Sequence, residues 1–260
     1  MPKLNCFNAM VNKLISLFSF FIILFILGCN NPKNEANISN NIFNKSIEIY
    51  GGKKVYNSEI TFTFREKQYK AIYNQENYQL ERIFNEDSLL YRDVVTNTAF
   101  TRFVNNNETS VEDEWKTKYS NSINSVIYFF RLPFNLNDKA VNKTYLGEAT
   151  LNNKQYHKIQ VTFQQDGGGD DFKDVYIYWI NTTDFTIDYF AYSYETDGGG
   201  KRFRKMINPR KINGLLVVDY INYKPKNINE PLENFDAYFE QNGFEELSRI
   251  EHQAITVRYN

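Results

Sequence analysis

The sequence predicts a mainly β, α+β protein: a curved antiparallel meander, or half-barrel, of about ten to eleven strands with helices covering one face. Three observations carry that expectation. Alternating segments rich in Tyr, Phe, Ile, Val and Thr recur along most of the 260 residues. Short Asn-, Asp- and Gly-bearing stretches separate them, and three other stretches space their apolar residues at helical intervals. Aromatic residues make up 17% of the chain, more than a core alone requires.

The chain opens on a targeting signature. Lys3 and Lys13 supply a basic region without acids, and Leu14 to Leu27 is an almost unbroken run of Leu, Ile and Phe. That run has the length of a signal sequence and is short for a membrane span. It ends in "ILGC", Ile26 to Cys29, which resembles the bacterial lipoprotein box: small Gly28 before the cut, then a thiol that accepts a diacylglyceryl group. Residues 1–28 are therefore expected to be a lipoprotein signal peptide, with Cys29 lipidated and the protein held on a membrane without a transmembrane helix. Residues 29–39, Cys29 and most of the polar "NNPKNEANISNN" that follows it, read as a flexible tether, and 40–260 as one half-barrel domain.

The only other cysteine, Cys6, falls in the segment expected to be removed, so the domain has no thiol for a disulfide, zinc site or nucleophile. Without Lys3 and Lys13, 28 basic residues remain against 31 acidic ones, which gives no electrostatic reason to expect nucleic acid.

The strand segments follow in order: "ITFTFREKQYKAIY", "YQLERIF", "LLYRDVV", "AFTRFV", "YHKIQVTFQ", "DVYIYWI", "FTIDYFAYSY", "KRFRKMI", "LLVVDYINY" and "RIEHQAITVRY". The connections "NEDS", "TNT", "NNK", "NTTD" and "NG" are hairpin turns in composition and length. Of the helices, Asn40 to Tyr50 places Ile42, Phe43, Ile47 and Tyr50 on one stripe and stops at Gly51 and Gly52. Ser110 to Phe130 opens with a Ser-x-x-Asp capping box, carries Trp115, Tyr119, Ile123, Val126, Ile127 and Phe130 on one side, and ends before Pro133. Pro231 opens a third, with Leu232, Phe235 and Phe239 along one side.

Several stretches carry a resemblance. "NSVIYFFRLPFNLNDKAV", "KTYLGEATLNNKQYHKIQVTFQQ", "YIYWINTTDFTIDYFAYSY", "RFRKMINPR" and "DYINYKP" resemble an uncharacterised family of Bacteroidota lipoproteins, a domain of unknown function, over nearly the whole mature chain. That resemblance implies membership and no activity. The order of an N-terminal helix, a long meander and inserted helices is also similar to the half-barrel of lipoprotein-localisation factors and related periplasmic lipid carriers.

Two glycine turns share the opening Asp-Gly-Gly-Gly, at Asp166 and Asp197, and the strand order sets both on one rim. Asp170, Asp171 and Asp174 follow the first; Lys201, Arg202 and Arg204 follow the second. A calcium site at Asp166, Asp170 and Asp171 would suit a hard cation, but the spacing fits no standard calcium loop and the nearby bases would compete. The expectation is a structural rim of solvated charges, with no metal and no cofactor.

Polar residues in apolar register are more informative. Arg82 lies between Leu80 and Phe84, Arg92 between Leu90 and Val94, and Arg102 between Phe100 and Val104. A turn centred on Asn97 makes Arg92 and Arg102 cross-strand neighbours, a repulsive pair unless an anion or acid lies between them. His157 and Asp219 interrupt two further apolar faces. Either this row faces solvent, its arginine stems covering aliphatics, or it lines a pocket for an anionic head group. The reading that follows is a non-enzymatic lipoprotein of the outer membrane, on its periplasmic or its cell-surface face, binding an amphiphile or another envelope protein. A hydrolase of envelope glycan or lipid, using a carboxylate or His157, is the alternative. Asn30 in place of aspartate after Cys29 points to the outer membrane by analogy.

Overall fold

Several reversals of this chain are made by two neighbouring residues in the left-handed region. Asn152 and Asn153 have φ of 48° and 60°, Asn105 and Asn106 of 49° and 67°, and Asn213 and Gly214 of 45° and 83°. Two central residues at positive φ give a turn whose twist matches paired strands, and Asn and Gly adopt it at least cost. Arg65 and Glu66 make the same reversal at 49° and 64°. The run Ile60 to Tyr73, expected as one segment, therefore folds back into two strands.

The computed structural model describes residues 32–166 and 172–260, and Ala36–Asn260 packs as one compact unit. Its strands form two antiparallel sheets of seven among the described residues. In the first, β1 (Asn57–Phe64), β2 (Lys67–Asn74), β3 (Asn77–Glu86), β4 (Leu89–Thr96), β5 (Phe100–Val104) and β6 (Asn107–Thr109) lie in sequence order, and β14 (Gln253–Tyr259) pairs with the other side of β1. In the second, β7 (Val141–Leu151), β8 (Lys154–Phe163), β9 (Val175–Asn181), β10 (Ile187–Tyr194), β11 (Gly200–Ile212), β12 (Leu215–Pro225) and β13 (Phe244–Ile250) are likewise consecutive. The mainly β class and the meander are as expected. The additional strands are the one released at Arg65 and the edge strands β6, β7 and β13. In β7 half-buried and exposed residues alternate with only Leu151 fully buried, which left the strand with little apolar signal.

Helix α1 spans Pro32–Tyr50 and closes as expected, with Gly52 at φ 70° donating its N–H to the Ile47 carbonyl at 2.9 Å. At its other end the helix starts before the expected Asn40, at Pro32. Proline is favoured at a first helical position, and the fully buried Ser39 and Ser46 let the helix approach the core closely without adding apolar composition. Helix α2 spans Asp113–Phe130. The expected capping box does not form: Glu112 is the N-cap without a side-chain cap. Asp113 and Glu114 complement the helix dipole there and pair with Lys116 and Lys118, both at 2.7 Å.

Both helices join one core with the two sheets. Phe130 of α2 stacks on Phe62 of β1 at 4.1 Å, and Phe43 of α1 meets Tyr178 of β9 edge-on at 5.8 Å. A second cluster lies beneath α3 (Phe235–Glu240), where Leu232 and Phe235 pack on Ile177, Trp179 and Phe203. Beyond its first residue β9 is buried at every position, which is possible only for a strand covered on both faces. Helices accordingly cover both faces of the second sheet.

Candidate functional site

Register decides what the arginine row does. Arg82 of β3 faces Asp93 of β4, and Asp93 faces Arg102 of β5. Arg82 donates to Asp93 Oδ2 from Nη2 at 2.7 Å, while Arg102 donates to Oδ1 from Nε at 2.6 Å and to Oδ2 from Nη2 at 2.9 Å. The carboxylate is fully buried. Above it, Arg82 Nη1 reaches Ser122 of α2 at 3.1 Å and the Arg102 guanidinium lies 4.1 Å from the Tyr119 ring centroid. An acid from the chain itself thus separates the two like charges.

Arg92 departs from the expected row. It pairs with Ile83 and Phe103 and so lies on the opposite face, its guanidinium 4.3 Å from the Phe103 ring and 3.7 Å from Glu81 Oε2. The cause is the β4–β5 connection. Val95 pairs with Phe100, so the turn is centred between Asn97 and Thr98 rather than on Asn97. A shift of one residue exchanges the faces of a strand.

Beside this triad lies a cavity of about 1160 Å³ whose wall is shared by β2, β3, α2 and the segment leading into β7. Leu80 and Val95 are buried in it, with Tyr73, Tyr128 and Phe163 half-buried; Gln75, Asn77, Asn121 and Asn124 are exposed along it. Arg131, directly after α2, belongs to the wall and is 4% exposed. Its guanidinium stacks on Tyr73 at 3.4 Å from the ring centroid, and Nη1 donates to Asn135 Oδ1 at 3.1 Å. Nε and Nη2 are buried without a hydrogen-bond partner. Asp138 is on the same wall; burial raises its carboxyl pKa, opposed by the charges of Arg131 and Lys143. Lys143 is itself pushed down to about 8 by burial, against the pull of Asp138. A single arginine inside the apolar run "VIYFFRLPF" is the sequence signal for this site; it stands at a helix end and so outside the strand periodicity that marks the other arginines.

Asp219 and His252 form a separate cluster. His252 offers its backbone N–H at 3.0 Å and Nδ1 at 3.1 Å to Asp219 Oδ1, while Arg210 donates to both carboxylate oxygens at 3.0 and 3.2 Å. Burial would raise the Asp219 pKa, but the bonds from His252 and Arg210 outweigh it and hold the carboxyl low. The His252 ring is enclosed by Phe62, Phe64 and Phe130 at 4.9 to 5.7 Å, an arrangement that ties β14 and β12 to α2. His157 bonds the Tyr145 hydroxyl at 3.2 Å, and burial lowers its pKa, with Glu148 raising it and Lys45 lowering it further. Among the described residues, no hydrogen bond links His157 or Asp219 to the arginine triad.

At the glycine rim, the end of β8 and the start of β11 lie at the same end of the second sheet, as strand order requires. Asp166 is exposed. Asp170 and Asp171 lie outside the described residues, and so does the calcium reading that needs them; Cys29 and the signal segment lie outside them as well. Arg202 lies over Tyr194 at 5.2 Å. Arg204 corrects the expectation of a solvated rim: it is 7% exposed, 4.0 Å from the Phe129 ring centroid, and donates to the Tyr192 hydroxyl at 2.9 Å. Its position opposite Phe190 turns it under the end of α2.

Among solved structures, the chain is similar to a LolA superfamily protein from Nitrosomonas europaea, with 12% identity over 85% of this chain and 94% of that one and a TM-score of 0.41. It is similar also to a DUF1329 family protein from Desulfovibrio piger, with 9% identity over 89% and 94% of the two chains and a TM-score of 0.40. A domain from Vibrio parahaemolyticus assigned to outer membrane lipoprotein sorting matches with 7% identity over 88% and 94% and a TM-score of 0.44. No curated protein matches the sequence. One family model spans residues 15–252, nearly the full length, and by that match the chain belongs to the family of unknown function DUF6503.

Proposed function

We propose that this protein is a membrane-anchored envelope lipoprotein of the outer membrane that binds an amphiphilic small molecule, without catalysis, in the cavity beside α2. Residues 1–28 act as its signal peptide and Cys29 carries the lipid. The cavity is the observation that carries the binding function. At about 1160 Å³ it is slightly larger than the usual small-molecule site, and it joins buried Leu80 and Val95 and the rings of Tyr73, Tyr128 and Phe163 to a margin of exposed amides. Such a surface suits a ligand with an apolar body and a polar end. The arginine triad, whose charges are answered by Asp93, supports one wall of this site rather than serving as its contact surface.

The test is organic extraction of the purified full chain followed by mass spectrometry of the extract. The expected result is an amphiphile present in about one copy per chain and absent from an equally treated variant with Leu80→Trp and Val95→Trp, which fill the cavity. Equal lipid on both proteins would overturn the proposal.

A further inference from the structure

We infer that the amphiphile bound in this cavity carries a carboxylate, and that Arg131 reads it through the paired N–H groups of Nε and Nη2. This rests on the binding function proposed above and names the ligand class. Three features of Arg131 lead to it. The side chain is 96% removed from solvent, since only 4% of its surface is exposed, and it belongs to the cavity wall. Its face and one end are occupied, by the Tyr73 ring and by Asn135 Oδ1. The remaining edge, Nε and Nη2, is buried without a partner.

The geometry of that edge is selective. Nε–H and Nη2–H point the same way from one plane, spaced to meet two oxygens of a single oxyanion. Burying such donors without an acceptor is costly, and a water molecule can accept from only one of them along its best direction. A carboxylate satisfies both. It also fits the charge of the wall better than a phosphate monoester does, because Asp138 lies on the same wall and disfavours a second negative charge. Lys53, an exposed cation at the cavity edge, attracts carboxylate and phosphate alike and has no planar fork to match two oxygens of one carboxylate.

The test is equilibrium dialysis of radiolabelled decanoate, decyl phosphate and 1-decanol against the full chain, with near-ultraviolet circular dichroism verifying each variant's fold. Decanoate is expected to bind at least about tenfold more tightly than decanol, with decyl phosphate weaker than decanoate. Arg131→Gln should bring decanoate down to the affinity of decanol. Arg131→Lys, which keeps the charge without the fork, should lose most of the advantage, and Lys116→Gln, on the exposed side of α2 and outside the cavity wall, should lose none. Equal affinities for decanoate and decanol in the unmodified chain, a result that needs no variant, would overturn the role of Arg131 and leave the cavity as a binding site. Tighter binding of decyl phosphate would overturn the carboxylate class. If no probe binds, the cavity function itself fails and this inference with it.

Discussion

Arg102 donates from Nε to Asp93 Oδ1 at 2.6 Å, onto a carboxylate fully shielded from solvent. Arg82 shares the same carboxylate from the neighbouring strand, so one buried negative charge separates two positive ones. Removing the acid leaves both arginines facing each other under α2.

Asp93→Asn should therefore destabilise the fold by about 3–5 kcal/mol, the usual cost of breaking a buried ion pair on one side. Arg92→Gln, on the opposite face, removes only a 3.7 Å contact between a one-third exposed guanidinium and Glu81 and should cost clearly less. Urea unfolding of the two variants checks the assignment of faces, and equal losses would contradict it.

The Asp219 carboxyl titrates below its ordinary value because the bonds from His252 and Arg210 outweigh the effect of burial. Its folded pKa is thus lower than its unfolded one. The stability it contributes is present in full above the unfolded value, about 3.9, and is lost as pH falls through the folded value. Asp219→Asn should flatten the acid side of a melting-temperature profile between about pH 5 and pH 2. An unchanged acid slope would show that the cluster does not couple to folding.

Lys143 is pushed down to about 8 by burial. At that pH roughly half of its amine is unprotonated, against less than about 1% of an ordinary lysine. Limited acetylation at that pH, followed by peptide mapping, should find Lys143 modified ahead of the exposed Lys116 and Lys118. The reverse order would contradict its shifted state.

Cys29→Ser should abolish incorporation of labelled fatty acid and leave the chain unprocessed at this position, since the thiol is the acylated group in the proposed anchor. Undiminished label in the variant would move the anchor elsewhere.

The alternating segments and their Asn-, Asp- and Gly-bearing turns were sufficient to determine an antiparallel meander, because period two and positive-φ turn residues are local properties of the chain. The helix stop at Gly51 and Gly52 and the apolar stripe of α2 were legible for the same reason. Pairing register was not: "TNT" is compatible with reversals centred on Asn97 or half a residue later, and that difference sends Arg92 to the far face and brings Asp93 between Arg82 and Arg102. Nor was the start of α1 at Pro32, since the buried Ser39 leaves no hydrophobic trace. Arg131 follows α2 in sequence, yet only the packing of that helix end against β2 sets its guanidinium on Tyr73 and buries its remaining edge. Burial is a property of what the whole chain brings together, and the sequence around Arg131 contains neither Tyr73 nor the space beside it.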